Sequence, residues 1–284
     1  MVVTEHHLHL VSDATGETIS SAVRACLVQF DTVPKVNQHL WWLVRTPGQV
    51  RRLIEGIQAH PGVVFFTLVD PEIRVVLEDA CRDLGVPAVP LLDPVLLALK
   101  QYFQADFRSD PGRQHNLDDA YFRRIDAIHY TLAHDDGQLL EKLHDADVIV
   151  LGVSRTSKTP TCMYLANKGF KAVNIPLVPA VPVPDQVLAL VRDPATDAGT
   201  APLIVGLTRE ARSLSQLRRN RLRVMHESVD SIYADEEHVR DEVARARRLF
   251  ARHGWPVIDV TRKSIEEVAA AIIQRIQRHQ GMSW

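Results

Sequence analysis

Cysteine is scarce in this chain: Cys26, Cys81 and Cys162 are the only three in 284 residues. They lie far apart and match no metal or redox spacing, so buried, reduced thiols are the expectation. A dominant charge sign is missing too. With 33 Lys and Arg against 35 Asp and Glu, the net charge of −2 gives no global attraction to nucleic acid or an anionic membrane. No apolar run approaches membrane-spanning length, and the N-terminus lacks a basic-then-apolar signal pattern. The expectation is a cytoplasmic protein with neither membrane nor nucleic acid as partner. No H-R-D or D-F-G element occurs, which excludes an ordinary protein-kinase mechanism. There is no internal repeat and no low-complexity tract. A hydrophobic share of 46% and a charged share of 24% describe a globular chain, long enough for one large or two ordinary domains.

What is present is concentrated at Gly152-Val153-Ser154-Arg155-Thr156-Ser157-Lys158-Thr159. This run fits the phosphate-loop pattern G-x-x-x-x-G-K-[ST], with Ser157 where the second glycine usually sits. Residues 146–151 before it read as a buried parallel strand, and residues 160–168 after it read as a helix with Pro160 in its first turn. Strand, loop and helix together supply a mechanism. Amides at the helix start face an anion, Lys158 reaches the outer phosphates, and the Thr159 hydroxyl binds a magnesium ion. A serine at 157 costs little at negative φ and is strained at positive φ. Arg155 is an additional cation, read as a second phosphate clamp or as a surface residue.

Strand and helix alternate along the first hundred residues. Strands are expected at 6–11, 38–44, 63–69 and 88–92. Helices are expected from Glu17 to near Phe30, then at 48–60, 71–84 and 94–103. This rhythm implies a mostly parallel sheet with helices on both faces. Residues 105–117, polar with proline and glycine, break it. The organisation expected is an N-terminal α/β domain over 1–105, a linker over 106–117 and a catalytic domain over 118–284. In the second half, helices are expected at 118–133 and 138–143. Strands follow at 172–175, 203–207 and 256–260, with Pro176, Pro179, Pro182 and Pro184 holding one segment extended. A helix over 236–252 and a final helix opened by the Ser264–Glu267 capping box complete it. The fold class is α/β: an N-terminal parallel-sheet domain plus a C-terminal P-loop kinase-like domain.

Other candidates carry two readings each. Arg209, Arg212, Arg218, Arg219, Arg221 and Arg223 are either a lid that brings cations over a transferred group or a solvated basic face. The turn at residues 12–18 is either a contact site for a cation or partner or a helix cap supplied by Thr15 or a neighbour. Asp135 and Asp136 either serve magnesium or a hydroxyl nucleophile, or belong to a plain Asp-Gly turn. Asp259 at a strand end is equally divided. His7 and His9 share one strand face while His6 points away, so no complete metal set is visible.

Five segments taken together resemble one family. They are residues 9–18, Arg124-Ile125-Asp126-Ala127-Ile128, residues 130–137, residues 152–160 and residues 254–261. The chain is similar, nearly end to end, to the pyruvate, phosphate dikinase regulatory proteins, and the run Ser154-Arg155-Thr156-Ser157-Lys158-Thr159-Pro160 is the most specific part. Ala14 stands where serine is usual, and His129 where glutamate is. The resemblance implies a bifunctional regulator. It would transfer the β-phosphoryl group of ADP to an active-site threonine of the dikinase. It would also remove that group by attack of inorganic phosphate, releasing pyrophosphate. ADP or phosphate would then sit on Gly152, Val153, Ser154, Arg155, Thr156, Ser157, Lys158 and Thr159. Lys158 and Arg155 would stabilise the moving group, and Thr159 would hold Mg2+. A homodimer is a further expectation, and the N-terminal domain and the arginine segment are expected to dock the large protein substrate. A sister branch acts on phosphoenolpyruvate synthase. A small-molecule kinase of the nucleoside or shikimate type and a nucleotide-sensing binding protein are the remaining alternatives.

Overall fold

A computed structural model of the chain describes residues 5–32, 35–111, 119–179, 181–192, 201–225 and 231–281. The chain divides into two compact units, Met1–Asn116 and Leu117–Trp284. In the first, β1 (His6–Val11), β2 (Val36–Trp41), β3 (Val63–Phe66) and β4 (Ala88–Pro90) alternate with α1 (Glu17–Leu27), α2 (Pro47–Ala59), α3 (Pro71–Asp83) and α4 (Asp93–Phe103). The strands pair in the order β2-β1-β3-β4, all parallel. Local chemistry starts the helices. Thr46 and Gln49 form a capping box ahead of α2, and the Asp70 carboxylate accepts the first amides of α3. That Asp70 cap ends β3 at Phe66, short of the expected residue 69. α1 also ends early, at Leu27, and Phe30 beyond it is exposed. Its cap is Gly16 in the left-handed region at φ 75°, with no side-chain cap, in place of Thr15.

Parallel register explains a feature of this unit. β1 and β2 place His9 opposite His39, and positions two apart share a face. His7, His9 and His39 therefore gather with His60 at the C-cap of α2. Ring centroids lie 4.6 Å apart for His9 and His39, 4.9 Å for His7 and His60, and 5.1 Å for His39 and His60. His9 Nε2 donates to the His60 carbonyl at 2.8 Å, and its Nδ1 accepts from Trp41 Nε1 at 3.2 Å. A second ring proton, on Nδ1, would face the Trp41 N–H, itself a donor. Burial, then the neighbouring imidazoles, hold His9 and His39 below the ordinary histidine value of 6.5.

Below that value the unfolded chain binds protons that the folded rings refuse. The stability these rings contribute is thus present above pH 6.5 and is lost as pH drops through their lowered folded-state values. Hydrogen exchange at pH 7.5 and 5.5, corrected for intrinsic rates, should show β1 and β2 amides losing protection while the second unit's central strands keep theirs. Equal loss in both units would contradict this account.

In the second unit, α5 (Asp119–Ala133) precedes β5 (Val148–Gly152), α6 (Lys158–Asn167), β6 (Ala172–Pro176) and α7 (Asp185–Arg192). Then follow β7 (Leu203–Thr208), α8 (Ala211–Val224), α9 (Glu236–His253), β8 (Val257–Asp259) and α10 (Ile265–His279). The order β6-β5-β7-β8 is again parallel and repeats the order of the first sheet. β5 and β7 are buried along their whole length, which is why they read as unbroken apolar runs. Ile149 and Leu151 face a core with Leu214, Val239, Val243 and Phe250; Val148 and Val150 face Cys162, Leu165, Ile272 and Ile276. Gly206 in β7 is forced by packing, since a Cβ there would lie 2.6 Å from the Phe250 ring.

One expectation fails here and one helix was not foreseen. Residues 138–143 form no α-helix; short 3₁₀ turns occupy Asp135–Gly137 and Leu140–Asp145, interrupted by Leu139 at φ 49°. The described residues of the proline segment, 176–184, hold no helix, and the unforeseen α7 begins directly after Pro184. The Ser264–Glu267 capping box of α10 is present as expected.

Candidate functional site

The second sheet places its candidate residues at the carboxyl ends of β5 and β7. β5 connects towards β6 on one side, while β7 leads on to β8 on the other, so a topological switch point falls between them. Open parallel sheets bind ligands there. Gly152 ends β5 and is needed for close approach: a Cβ would lie 2.6 Å from Thr156 Oγ1 and 2.8 Å from the Leu207 carbonyl oxygen. Gly152→Ala should therefore cost about 1–3 kcal/mol by overpacking and deform the loop. Thermal unfolding with a nucleotide titration checks this; unchanged stability and affinity would contradict it.

The loop folds upon one carbonyl. Val153 O accepts from Thr156 Oγ1 at 2.9 Å and from Lys158 Nζ at 3.2 Å. Arg155 and Ser157 both take positive φ, 72° and 62°. Ser157 is thus in the strained conformation, and α6 starts at Lys158, ahead of the expected Pro160. No side chain caps α6, so the amides of its first turn are left for a ligand. Lys158 is only 6% exposed, and burial lowers its pKa to about 8 against the pull of Asp136, Cys162 and Asp135. Cys162 has its thiol pushed up by burial and is no nucleophile.

Beside the loop stands a cluster whose full membership the sequence did not reveal. Thr159 Oγ1 donates to Asp135 Oδ1 at 3.2 Å. Asn174, on β6, sets its Nδ2 2.6 Å from Asp135 Oδ1, 3.0 Å from Asp136 Oδ1 and 2.9 Å from Thr159 Oγ1. An amide nitrogen has two protons for these three acceptors. Asn174 is 1% exposed, and among the described residues its buried Oδ1 has no hydrogen-bond partner. Turning the amide over would present Oδ1 alongside two carboxylates and a hydroxyl, a hard oxygen set of the kind Mg2+ takes. Among the described residues no three His, Cys, Asp or Glu converge as a metal site. The short turn over Asp135–Gly137 agrees with the turn reading of Asp135 and Asp136.

The arginine segment divides. Arg212, Arg219, Arg221 and Arg223 are exposed on α8, whereas Arg218 is 1% exposed. Its guanidinium donates to Glu242 Oε2 at 2.7 Å, to the Tyr233 carbonyl at 2.9 Å and to the Ser154 carbonyl at 3.3 Å. Ser154 Oγ also bonds the Tyr233 hydroxyl at 2.9 Å. Arg218 is therefore a brace behind the loop, within a regular helix, and the lid reading fails for it. Asp259 is engaged elsewhere, accepting from Thr261 Oγ1 at 2.5 Å and lying 3.6 Å from Arg247.

A strand-loop-helix at a switch point, a buried lysine, open helix-start amides and an adjoining oxygen cluster define a phosphate-loop protein of the phosphoryl-transfer class. The chain belongs to the kinase/pyrophosphorylase family, whose sequence profile matches residues 8–273. It is a kinase- or phosphorylase-type transferase. It is 58% identical over 276 residues to a protein of Rhodospirillum rubrum, covering 97% of each chain. It is 56% identical over 273 residues to one of Paramagnetospirillum magneticum, covering 96% of this chain and 85% of the other. A Maricaulis maris protein is 46% identical over 277 residues, covering 98% and 95%. All three carry the provisional name pyruvate, phosphate dikinase regulatory protein. No helix among the described residues is long and apolar enough to cross a membrane.

Proposed function

We propose that this chain is a bifunctional regulator of pyruvate, phosphate dikinase and acts on a threonine of that enzyme. In the inactivating direction the threonine oxygen attacks the β-phosphorus of ADP. The bond to the α–β bridging oxygen breaks and AMP leaves. The hydroxyl proton passes to a carboxylate of the Asp135–Asp136 pair, or to solvent. In the activating direction an oxygen of inorganic phosphate attacks the phosphothreonine phosphorus. The threonine oxygen leaves, takes up a proton, and pyrophosphate is released. Gly152 through Thr159 would cradle the phosphates, and Lys158 and Arg155 would neutralise the transferred group. Mg2+, held by Thr159, Asp135, Asp136 and Asn174, would supply charge neutralisation at the phosphate oxygens. The N-terminal unit is assigned to docking the large protein substrate.

The observation that carries this reading is the buried Lys158 within an uncapped helix start. Phosphoryl groups need positioning and neutralisation whichever oxygen attacks, so one loop can serve both directions. Asp135→Asn tests the cation assignment: the Mg2+ concentration giving half-maximal rate should rise at least tenfold, about the effect of losing a ligand's support. An unchanged Mg2+ dependence in a folded variant would remove the cluster from the site.

A further inference from the structure

A cavity of about 300 Å³ opens beside Val153, between the segment after β6 and helix α9. Its wall is aliphatic: Leu177, Val178, Val181 and Val183 on one side, Ala246 and Leu249 on the other. Val178 is 51% and Val181 62% exposed, so the rim of the groove carries apolar surface open to a partner. Arg245, Arg248 and Arg252 line the same cavity, spaced three and four apart so that they form one stripe of α9. Among the described residues none of the three has an acidic partner, although Arg240 and Arg247 on the same helix do. The one carboxylate lining the cavity, Glu242, is already bound to Arg218.

We infer that this groove docks the acceptor segment of the protein substrate, a stretch of chain that carries an apolar side chain next to an anionic group. This rests on the protein-threonine reading above. Three features select that occupant. First, the cavity borders Val153, whose carbonyl accepts from Lys158 Nζ at 3.2 Å, so an occupant of the groove lies beside the lysine proposed to meet the transferred group. An acceptor approaching in line with the leaving group needs a surface beside the loop that the nucleotide does not fill. Second, the floor of the groove is made of aliphatic side chains that suit an apolar side chain, while its charged side chains, Arg245, Arg248, Arg252 and Glu242, all come from the α9 side. Third, three unneutralised guanidiniums around an apolar floor match a peptide whose apolar side chain enters the groove while an anion meets the rim.

The two directions of the reaction make the inference testable, because both use the protein and only one uses the nucleotide. In Arg245→Glu/Arg248→Glu, KM for the dikinase should rise at least tenfold with ADP and with inorganic phosphate alike. KM for ADP and for phosphate should stay within twofold of wild type. Val181→Asp, at an exposed position that leaves the core intact, should give the same pattern. An unchanged KM for the dikinase in both variants overturns the docking assignment. A rise in KM for ADP alone also overturns it and makes the groove a nucleoside site. If the wild-type protein transfers nothing to the dikinase in either direction, the underlying reading fails, a result distinct from active wild type with unaffected variants.

Discussion

Lys158→Ala is expected to lower both activities by about a thousandfold, the scale of losing one charge-stabilising donor from a phosphoryl-transfer site. The two losses should be of similar size if, as proposed, the same ammonium serves the transferred group in each direction. Burial holds Lys158 near pKa 8 in the free protein, with Asp136, Cys162 and Asp135 limiting the drop. The group is charged below that value and neutral above it. Consequently kcat/KM for ADP, which reports the free enzyme, should be level below pH 8 and fall as pH rises through about 8. Stopped assays of both directions across pH 6.5–9.5 check the point. A folded alanine variant that keeps its full phosphate-dependent rate would show that the second activity uses another site.

Arg218→Ala is expected to cost about 3–5 kcal/mol, because it removes a buried guanidinium from the Tyr233 and Ser154 carbonyls and leaves the part-buried Glu242 carboxylate without its cation. For a unit of this size that corresponds to a fall of about 10 °C in the midpoint of thermal unfolding. Activity should fall as well, since the Ser154 carbonyl loses its tie to α8. Replacing both partners, as Arg218→Met with Glu242→Leu, should restore much of the stability without restoring the loop's position. Differential scanning calorimetry separates these cases. If the alanine variant melts within 2 °C of wild type, Arg218 is not the brace described here.

The loop was legible because its chemistry is contiguous: glycine, lysine and threonine in fixed spacing, with a strand before and a helix after. The capping box of α10 and the fully buried β5 and β7 were legible for the same local reason. What escaped depends on register and packing. Asn174 reaches Thr159 and Asp135 only because β6 pairs with β5 in parallel, placing Asn174 opposite Val150. His39 and His60 join His7 and His9 through pairing over dozens of residues. Arg218 was indistinguishable by type from its neighbours, yet a signal existed. Leu214, Arg218 and Leu222 fall four apart on α8 and all are buried, so the arginine sits on the apolar stripe. Ser157 at φ 62° shows the limit of motif reading: the pattern placed the residue, while its strained backbone comes from the turn that uncaps α6.

The central claim is that this loop moves the β-phosphoryl group of ADP to a threonine of a protein. The most direct measurement incubates the protein and pyruvate, phosphate dikinase with ADP labelled at the β-phosphorus, with ATP labelled at the γ-phosphorus as control. Phosphothreonine on the dikinase from ADP, its loss on adding inorganic phosphate, and labelled pyrophosphate in the supernatant are the expected results. Label that stays on nucleotide, or passes only to a small molecule, would contradict the account.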